Sequence, residues 1–453
     1  MMSNLKPYPD YKPSNVEWLG DVPAHWEVRR VKQVSWIQGG FAFSADSFGK
    51  EGVPVVRMNN IRRGVLALDD VVRIPEHQCK DAFALKEGDI IYGLSGSIGA
   101  TGSLGNYAVV RKDDIPAQLN QRVARFRPVM GRITEGFLVR SIQIRVFYDQ
   151  VLSHTTGTAQ FNVSTNDISN VALALPPVEE QRRVVCYLDL ADERIRRYVR
   201  SRERLIELLE EYRQAVIHHA VTRGLDPDVR LKSSDVEWLG DVPAHWEVRR
   251  LRNVGEAIIG LTYDPQDVVD EEDGILVLRA SNISNGRIVY GDNVYVRCSV
   301  PDRLITKVGD ILICSRSGSR ALIGKNVRID SSSSGVTFGA FMTVFRCANN
   351  EYLRYVFNSK LFEYQSGAFM TSTINQLTLS MLYSIKIPLP PVPEQKRIIH
   401  YLEKATADVD VAIDRARREI ELLGEYRTRL IADVVTGIVD VREVAAELPD
   451  EVE

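Results

Sequence analysis

Val16–Arg30 reads VEWLGDVPAHWEVRR, and Val236–Arg250 repeats all fifteen letters. Four of the five tryptophans of this 453-residue chain lie in the two copies. A period of 20–50 residues marks a solenoid, but here the period is about half the chain, which marks a duplicated half-protein. The register extends well beyond the tryptophans. Lys12-Pro-Ser-Asn matches Lys232-Ser-Ser-Asp, Arg57-Met-Asn-Asn-Ile matches Arg279-Ala-Ser-Asn-Ile, and Gly88-Asp-Ile-Ile matches Gly309-Asp-Ile-Leu. Leu175-Pro-Pro-Val-Glu-Glu-Gln-Arg-Arg matches Leu389-Pro-Pro-Val-Pro-Glu-Gln-Lys-Arg. The stretches between, 31–172 and 251–386, share only scattered letters. Neutral drift does not spare one block of fifteen and scramble its neighbours. The matched segments therefore do one job twice, and the middles meet different targets.

Composition sets the class. Hydrophobic residues make up 44% and charged residues 26%, ordinary for a globular protein. The net charge of −3 lacks the basic excess common in nucleic-acid binders, so any phosphate contact is local or shared with a partner. Five cysteines without a C-x-x-C argue against a disulfide framework or zinc ribbon and fit a reducing cytoplasm. The first residues lack the apolar core of a signal peptide, and no run of about 18 apolar residues predicts a membrane span.

Two long helices follow the Pro-Pro segments. Val184, Leu188, Ala191, Ile195, Tyr198, Arg202, Leu205, Leu209, Tyr212, Val216 and His219 alternate steps of four and three, a heptad seam. Ile398, Leu402, Ala405, Val409, Ala412, Ala416, Glu419, Leu423, Tyr426, Leu430 and Asp433 repeat it more weakly. Proline stands before each helix, acidic residues open it, and Gly224 and Gly437 lie near the ends, as capping and dipole preferences require. Each helix of about 40 residues spans roughly 60 Å. One apolar stripe needs a partner: the other half's helix in antiparallel pairing, a second copy of the chain, or the globular parts.

The middles read as short strands broken by Gly, Asn and Asp, such as Val53-Pro-Val-Val-Arg, Gly274-Ile-Leu-Val-Leu-Arg and Phe341-Met-Thr-Val-Phe-Arg. The expected fold is α+β: two globular domains separated by two long antiparallel, coiled-coil-like helices in a pseudo-two-fold tandem duplication. The domains are residues 1–175 and 225–389, the helices 176–224 and 390–437, and 438–453 an acidic, disordered tail. GLSGSIGATGSLG, with glycine at 93, 96, 99, 102 and 105, predicts a tight loop of close backbone approach. Gly318-Ser-Arg-Ala-Leu-Ile-Gly-Lys-Asn is not a P-loop, having one residue too many between glycines and Asn326 in place of Ser or Thr.

No H-E-x-x-H, G-x-S-x-G or Asn-Pro-Pro-aromatic segment marks a catalytic or metal site. Arg bonds guanine bidentately, and Asn or Gln bonds adenine. Candidate DNA-contacting residues in the first half are Arg57, Asn59, Asn60, Arg62, Arg63, Asn106, Arg111, Lys112, Gln118, Asn120, Gln121 and Arg122. In the second they are Arg279, Asn282, Asn285, Arg287, Arg316, Arg320, Lys325 and Asn326. Trp18, Trp26, Trp238 and Trp246 either dock a partner or anchor each globule's core.

The paired VEWLGDVPAHWEVRR, the doubled G-D-I-[IL] and the doubled L-P-P-x-x-E-Q-[RK]-R resemble the specificity subunit of type I restriction–modification systems over nearly the whole chain. The resemblance implies that each variable region is a target recognition domain reading one half of a split site on double-stranded DNA. The long helices would hold the domains apart, so that four residues inserted within 195–210 would widen the gap by about 6 Å. Two methyltransferase subunits would dock on the repeated parts and restriction subunits would join them. S-adenosylmethionine, ATP and Mg²⁺ would belong to those partners, leaving this chain non-catalytic and cytoplasmic. A homodimeric coiled-coil scaffold or regulator, and an enzyme with an unmarked carboxylate site, are the competing readings of the residues alone.

Overall fold

The computed structural model describes residues 5–62, 64–99, 102–157, 160–236, 238–284, 286–348, 350–368 and 376–446. The chain forms two compact units, 1–201 with 419–453, and 202–418. Both boundaries fall inside the long helices, Val178–Arg223 and Val392–Val435, so each unit contains the start of one helix and the end of the other.

In the first unit, strands Tyr107–Val109, Ile90–Gly93, Val123–Pro128 and Ser35–Gly39 form an antiparallel sheet in that order. A second sheet joins Gln118–Leu119 parallel to Val53–Val56, with Arg73–Ile74 on the far edge. The second unit repeats the plan. Glu256–Ile259, Met342–Arg346, Ile311–Cys314 and Asn326–Arg328 form the antiparallel sheet. Ile275–Leu278 lies parallel to Thr337–Phe338 in the other sheet. Each plan is short apolar strands wound around fully buried side chains, Tyr92 and Phe126 in one unit, Phe338 and Phe345 in the other.

The segments doubled in sequence meet in space. Glu27–Arg30, the end of the first Trp segment, pairs antiparallel with Ala172–Leu175, the strand leading to Pro176-Pro177 and the first long helix. Glu247–Arg250 pairs in the same way with Lys386–Leu389 before the second.

Within each unit the two helices run antiparallel. In the first, Asp192 bonds Arg427 and Tyr198 bonds Glu419, so one helix number rises as the other falls. In the second, Glu210 bonds Arg417 and Arg213 pairs with Asp410. The heptad seam of the first helix holds through Val184, Leu188, Ala191 and Ile195, all buried. It then drifts. Leu205 and Tyr212 are exposed, His219 is exposed, and the buried apolar residues near the end are Ile217, Ala220 and Val221. A straight helix at 3.6 residues per turn rotates away from a 3.5 repeat by about 20° per heptad, and the burial follows that rotation. The expected coiled-coil seam is corrected accordingly: apolar at the ends, with ion pairs toward the middle.

Part of the segment expected to be a disordered tail is packed. Arg442–Ala446 is helical, and Val441 and Ala445 are buried in the first unit's core. The acidic letters hide an apolar i, i+4 pair. Residues 447–453 lie outside the described residues. Among the described residues, no helix is long and apolar enough to cross a membrane.

Candidate functional site

The Trp segments resolve into core and surface positions. Trp26 and Trp246 are fully buried, whereas Trp18 is 44% exposed and Trp238 is half-buried beside Tyr364. Trp26 is held from both helix ends. Its indole N–H donates to Glu180 Oε1 at 3.0 Å, near the start of the first helix. At the end of the second helix, Gly437 adopts φ +80°, and a Cβ there would lie 2.4 Å from Pro23 and 3.2 Å from Trp26. Gly224, φ +78°, occupies the same place against Trp246. Glu180 also accepts from the Tyr8 hydroxyl at 2.7 Å and pairs with His25 at 2.8 Å. Burial, then the bond to Glu180, pushes the Tyr8 hydroxyl well above the usual phenol range. The matched Glu394 pairs with His245. The neighbouring glutamines close the helix starts: Gln181 donates to Pro176 O and Gln395 to Pro390 O.

Two further doubled motifs also build scaffold. Asp89 and Asp310 are buried carboxylates gripped by Arg127 and Arg346. In Arg57-Met-Asn-Asn and Arg279-Ala-Ser-Asn, the last Asn is buried. Asn60 accepts the Arg57 backbone N–H at 3.0 Å and donates to Ala67 O; Asn282 accepts from Arg279 at 2.9 Å and donates to Val289 O.

These contacts correct the candidate set. Asn60, Gln118, Asn120, Asn282 and Asn326 are buried rather than presented at the surface. Gln118 accepts the Lys80 backbone N–H, and Asn326 donates to Gly324 O and Phe357 O. A turn-closing amide and a base-reading amide are the same letter, and only burial separates them. Asn59, Arg62, Arg111, Lys112, Gln121, Arg122, Arg287, Arg316 and Arg320 are exposed. Arg57, Asn106, Arg279 and Lys325 are half-buried. Arg63 and Asn285 lie outside the described residues. The glycine-rich segment folds on itself: a Cβ on Gly102 would lie 2.3 Å from the Ser97 carbonyl oxygen. Ala100 and Thr101 lie outside the described residues.

Four of the surviving candidates gather at equivalent corners, two in each unit. In the first unit the backbone N–H of Leu94 donates to Arg122 O at 2.9 Å, Val163 N–H to Leu94 O at 2.9 Å, and Gly93 N–H to Asn106 O at 2.8 Å. In the second, Ser315 N–H donates to Phe341 O at 3.0 Å, Leu377 N–H to Ser315 O at 2.8 Å, and Cys314 N–H to Lys325 O at 2.8 Å. Ser95 faces Asn162 across a strand pair, as Arg316 faces Gln376 across a bridge. These three backbone bonds match one for one, while the side chains differ. Arg122 bonds Asn162 Oδ1 at 2.7 Å in one. Arg316 sits 5.1 Å over the ring of Phe341 in the other. Asn162, Phe341 and Gln376 escape the sequence reading, because they join the site only when three separate segments meet. Each corner offers guanidinium and amide hydrogen-bonding groups at the surface, the groups that read base edges.

Comparison with known proteins agrees with this architecture. The type I restriction modification DNA specificity domain matches twice, over residues 23–201 and 243–421. The chain therefore belongs to the type I restriction–modification DNA specificity family. It is 22% identical over 443 residues to the putative type I restriction enzyme MjaX specificity subunit of Methanocaldococcus jannaschii, covering 94% of this chain and 96% of that one. It is 24% identical over 458 residues to the EcoBI specificity subunit of Escherichia coli, covering 96% and 90%. A solved chain, described under complex assembly and conformational transition of the type I R-M system, shares the fold. Its TM-score is 0.66 at 20% identity, over 91% of this chain and 98% of that one.

Proposed function

We propose that this chain reads a bipartite DNA site, one half through each unit, as the specificity subunit of a type I restriction–modification complex. The observation that carries this is the pair of corners with matching backbones and unlike exposed side chains. Identical scaffolds serve identical partners; unlike surfaces meet unlike half-sites. Two methyltransferase subunits would dock on the doubled parts, and restriction subunits would join through them. The chain itself would be non-catalytic, with S-adenosylmethionine, ATP and Mg²⁺ held by those partners, in the cytoplasm. Partner surfaces would supply much of the phosphate contact that this chain's net charge of −3 does not. A basic concavity lined by Arg249, Arg250, Arg252 and Lys386 is a place where this chain would add its own.

Methylome sequencing of the host with and without this chain tests the reading. A split motif should be methylated only when the chain is present. Co-purification should recover two methyltransferase copies per chain. An unchanged methylome together with a stable homodimer of this chain alone would replace this reading with a scaffold.

A further inference from the structure

The corner of the second unit carries a pair for which its own fold has no use. Phe341 is 57% exposed, and its backbone role is filled by Arg122 in the first unit. An aromatic ring is therefore not needed to make the corner. Arg316, beside it, is held in no ion pair among the described residues. Its guanidinium rests 5.1 Å from the Phe341 ring, an attraction that holds the cation at the surface without consuming its N–H donors in an acid bridge. Lone exposed apolar residues are common, but one locked to an unpaired arginine at a duplicated corner is a two-part surface of defined chemistry.

Those parts have specific complements in the major groove. Guanine offers N7 and O6 to an arginine, and thymine offers a C5 methyl to an apolar face. We propose that the second unit recognises adjacent guanine and thymine, Arg316 bonding the guanine edge and Phe341 covering the thymine methyl. Where the second unit has Arg316 and Phe341, the first has Ser95 and Arg122, the latter bonded to Asn162, all polar, and so makes no methyl contact there. This inference rests on the DNA-reading function proposed above.

The test uses the assembled methyltransferase complex. Methylome sequencing first gives the split motif, in which one half should contain neighbouring guanine and thymine. Phe341→Ala should relax that half at the thymine alone and leave the other half and the gap unchanged. Duplexes with deoxyuridine for that thymine lack only the methyl. The unsubstituted complex should bind them about fourfold more weakly, and the Phe341→Ala complex should bind both duplexes equally. Arg316→Gln should lose guanine discrimination by roughly 5- to 150-fold. Retained methylation directed by the unaltered half reports that the variants fold. A motif with no neighbouring guanine and thymine in either half would overturn the proposal, as would equal deoxyuridine penalties with and without the ring. A motif that does not depend on this chain would instead overturn the DNA-reading function itself.

Discussion

Glu180 receives the indole N–H of Trp26 at 3.0 Å, which ties the first repeated motif to the second across 154 positions. The counterpart pair differs: the buried Nε1 of Trp246 has no hydrogen-bond partner among the described residues. Glu394 is held by His245, and its side chain is 15% exposed against 8% for Glu180. The second unit has Asp228 where the register would place a second Tyr8.

Glu180→Ala should therefore cost more than Glu394→Ala. The first strands a buried indole and a buried phenol, at about 1–3 kcal/mol per unsatisfied group. The second leaves one half-exposed histidine. Hydrogen exchange resolved to the two units of the assembled complex should show the larger loss of protection in the first.

Asp192 is buried between two cations. It accepts from Arg427 at 2.7 and 2.9 Å and from Arg140 at 2.8 Å. Burial alone would raise its pKa, but the hydrogen bonds from the two guanidinium groups outweigh this and hold it below the usual aspartate value. A carboxylate depressed in the native state contributes fully above its unfolded pKa of about 3.9 and loses that contribution as pH falls through its native pKa. Asp192→Asn should lower stability by about 3 kcal/mol at neutral pH. The gap from the unsubstituted chain should close on acidification below about pH 4. A gap that stays constant down to about pH 2 in denaturation would contradict the role of the charge.

Asn59 and Asn60 are adjacent letters with opposite work. Asn60→Ala removes the side chain that closes the Arg57 turn and should cost about 2 kcal/mol. Asn59→Ala, at an exposed position, should stay within about 0.5 kcal/mol. Asn282→Ala should cost at least as much as Asn60→Ala, since its amide makes the same two backbone bonds and also donates to Asn293 Oδ1 at 3.1 Å. Thermal melts of the three variants beside the unsubstituted chain decide this.

Exchange of residues 31–172 for the variable region of another family member should alter one half-site and preserve the other. The exchanged segment contains Asn106, Arg122 and Asn162, but not the corner of the second unit. Methylome sequencing reads both halves at once; a change in both would show that the readers are not independent.

The duplication, both long helices and the α+β character of the middles are legible in the sequence because each is written as local pattern. Proline before a helix, glycine after it and apolar letters three and four apart are set by backbone sterics and near-neighbour packing. The seam of the first helix is legible only as far as Ile195, since beyond it a small angular drift accumulates that no single residue records. The tail reads as disordered because overall acidity outweighs two apolar letters, Val441 and Ala445, that find a core only in the folded unit. Of the candidate contacts, residue type is legible and availability is not. Asn59 and Asn60 carry the same letter side by side, yet one is exposed and the other buried.

The order of letters alone makes the chain one half written twice, with matched segments preserved around unlike middles. Identity of letters needs no coordinates to be read. Which letters are scaffold and which are surface is settled by packing. Trp26, Asp89, Asn60 and Glu180 are buried and bonded, while Arg122, Arg316 and Phe341 stand exposed at corners assembled from distant segments. Burial is a property of the packed chain: a polar side chain is committed to structure only when its neighbours remove it from water and return a hydrogen bond.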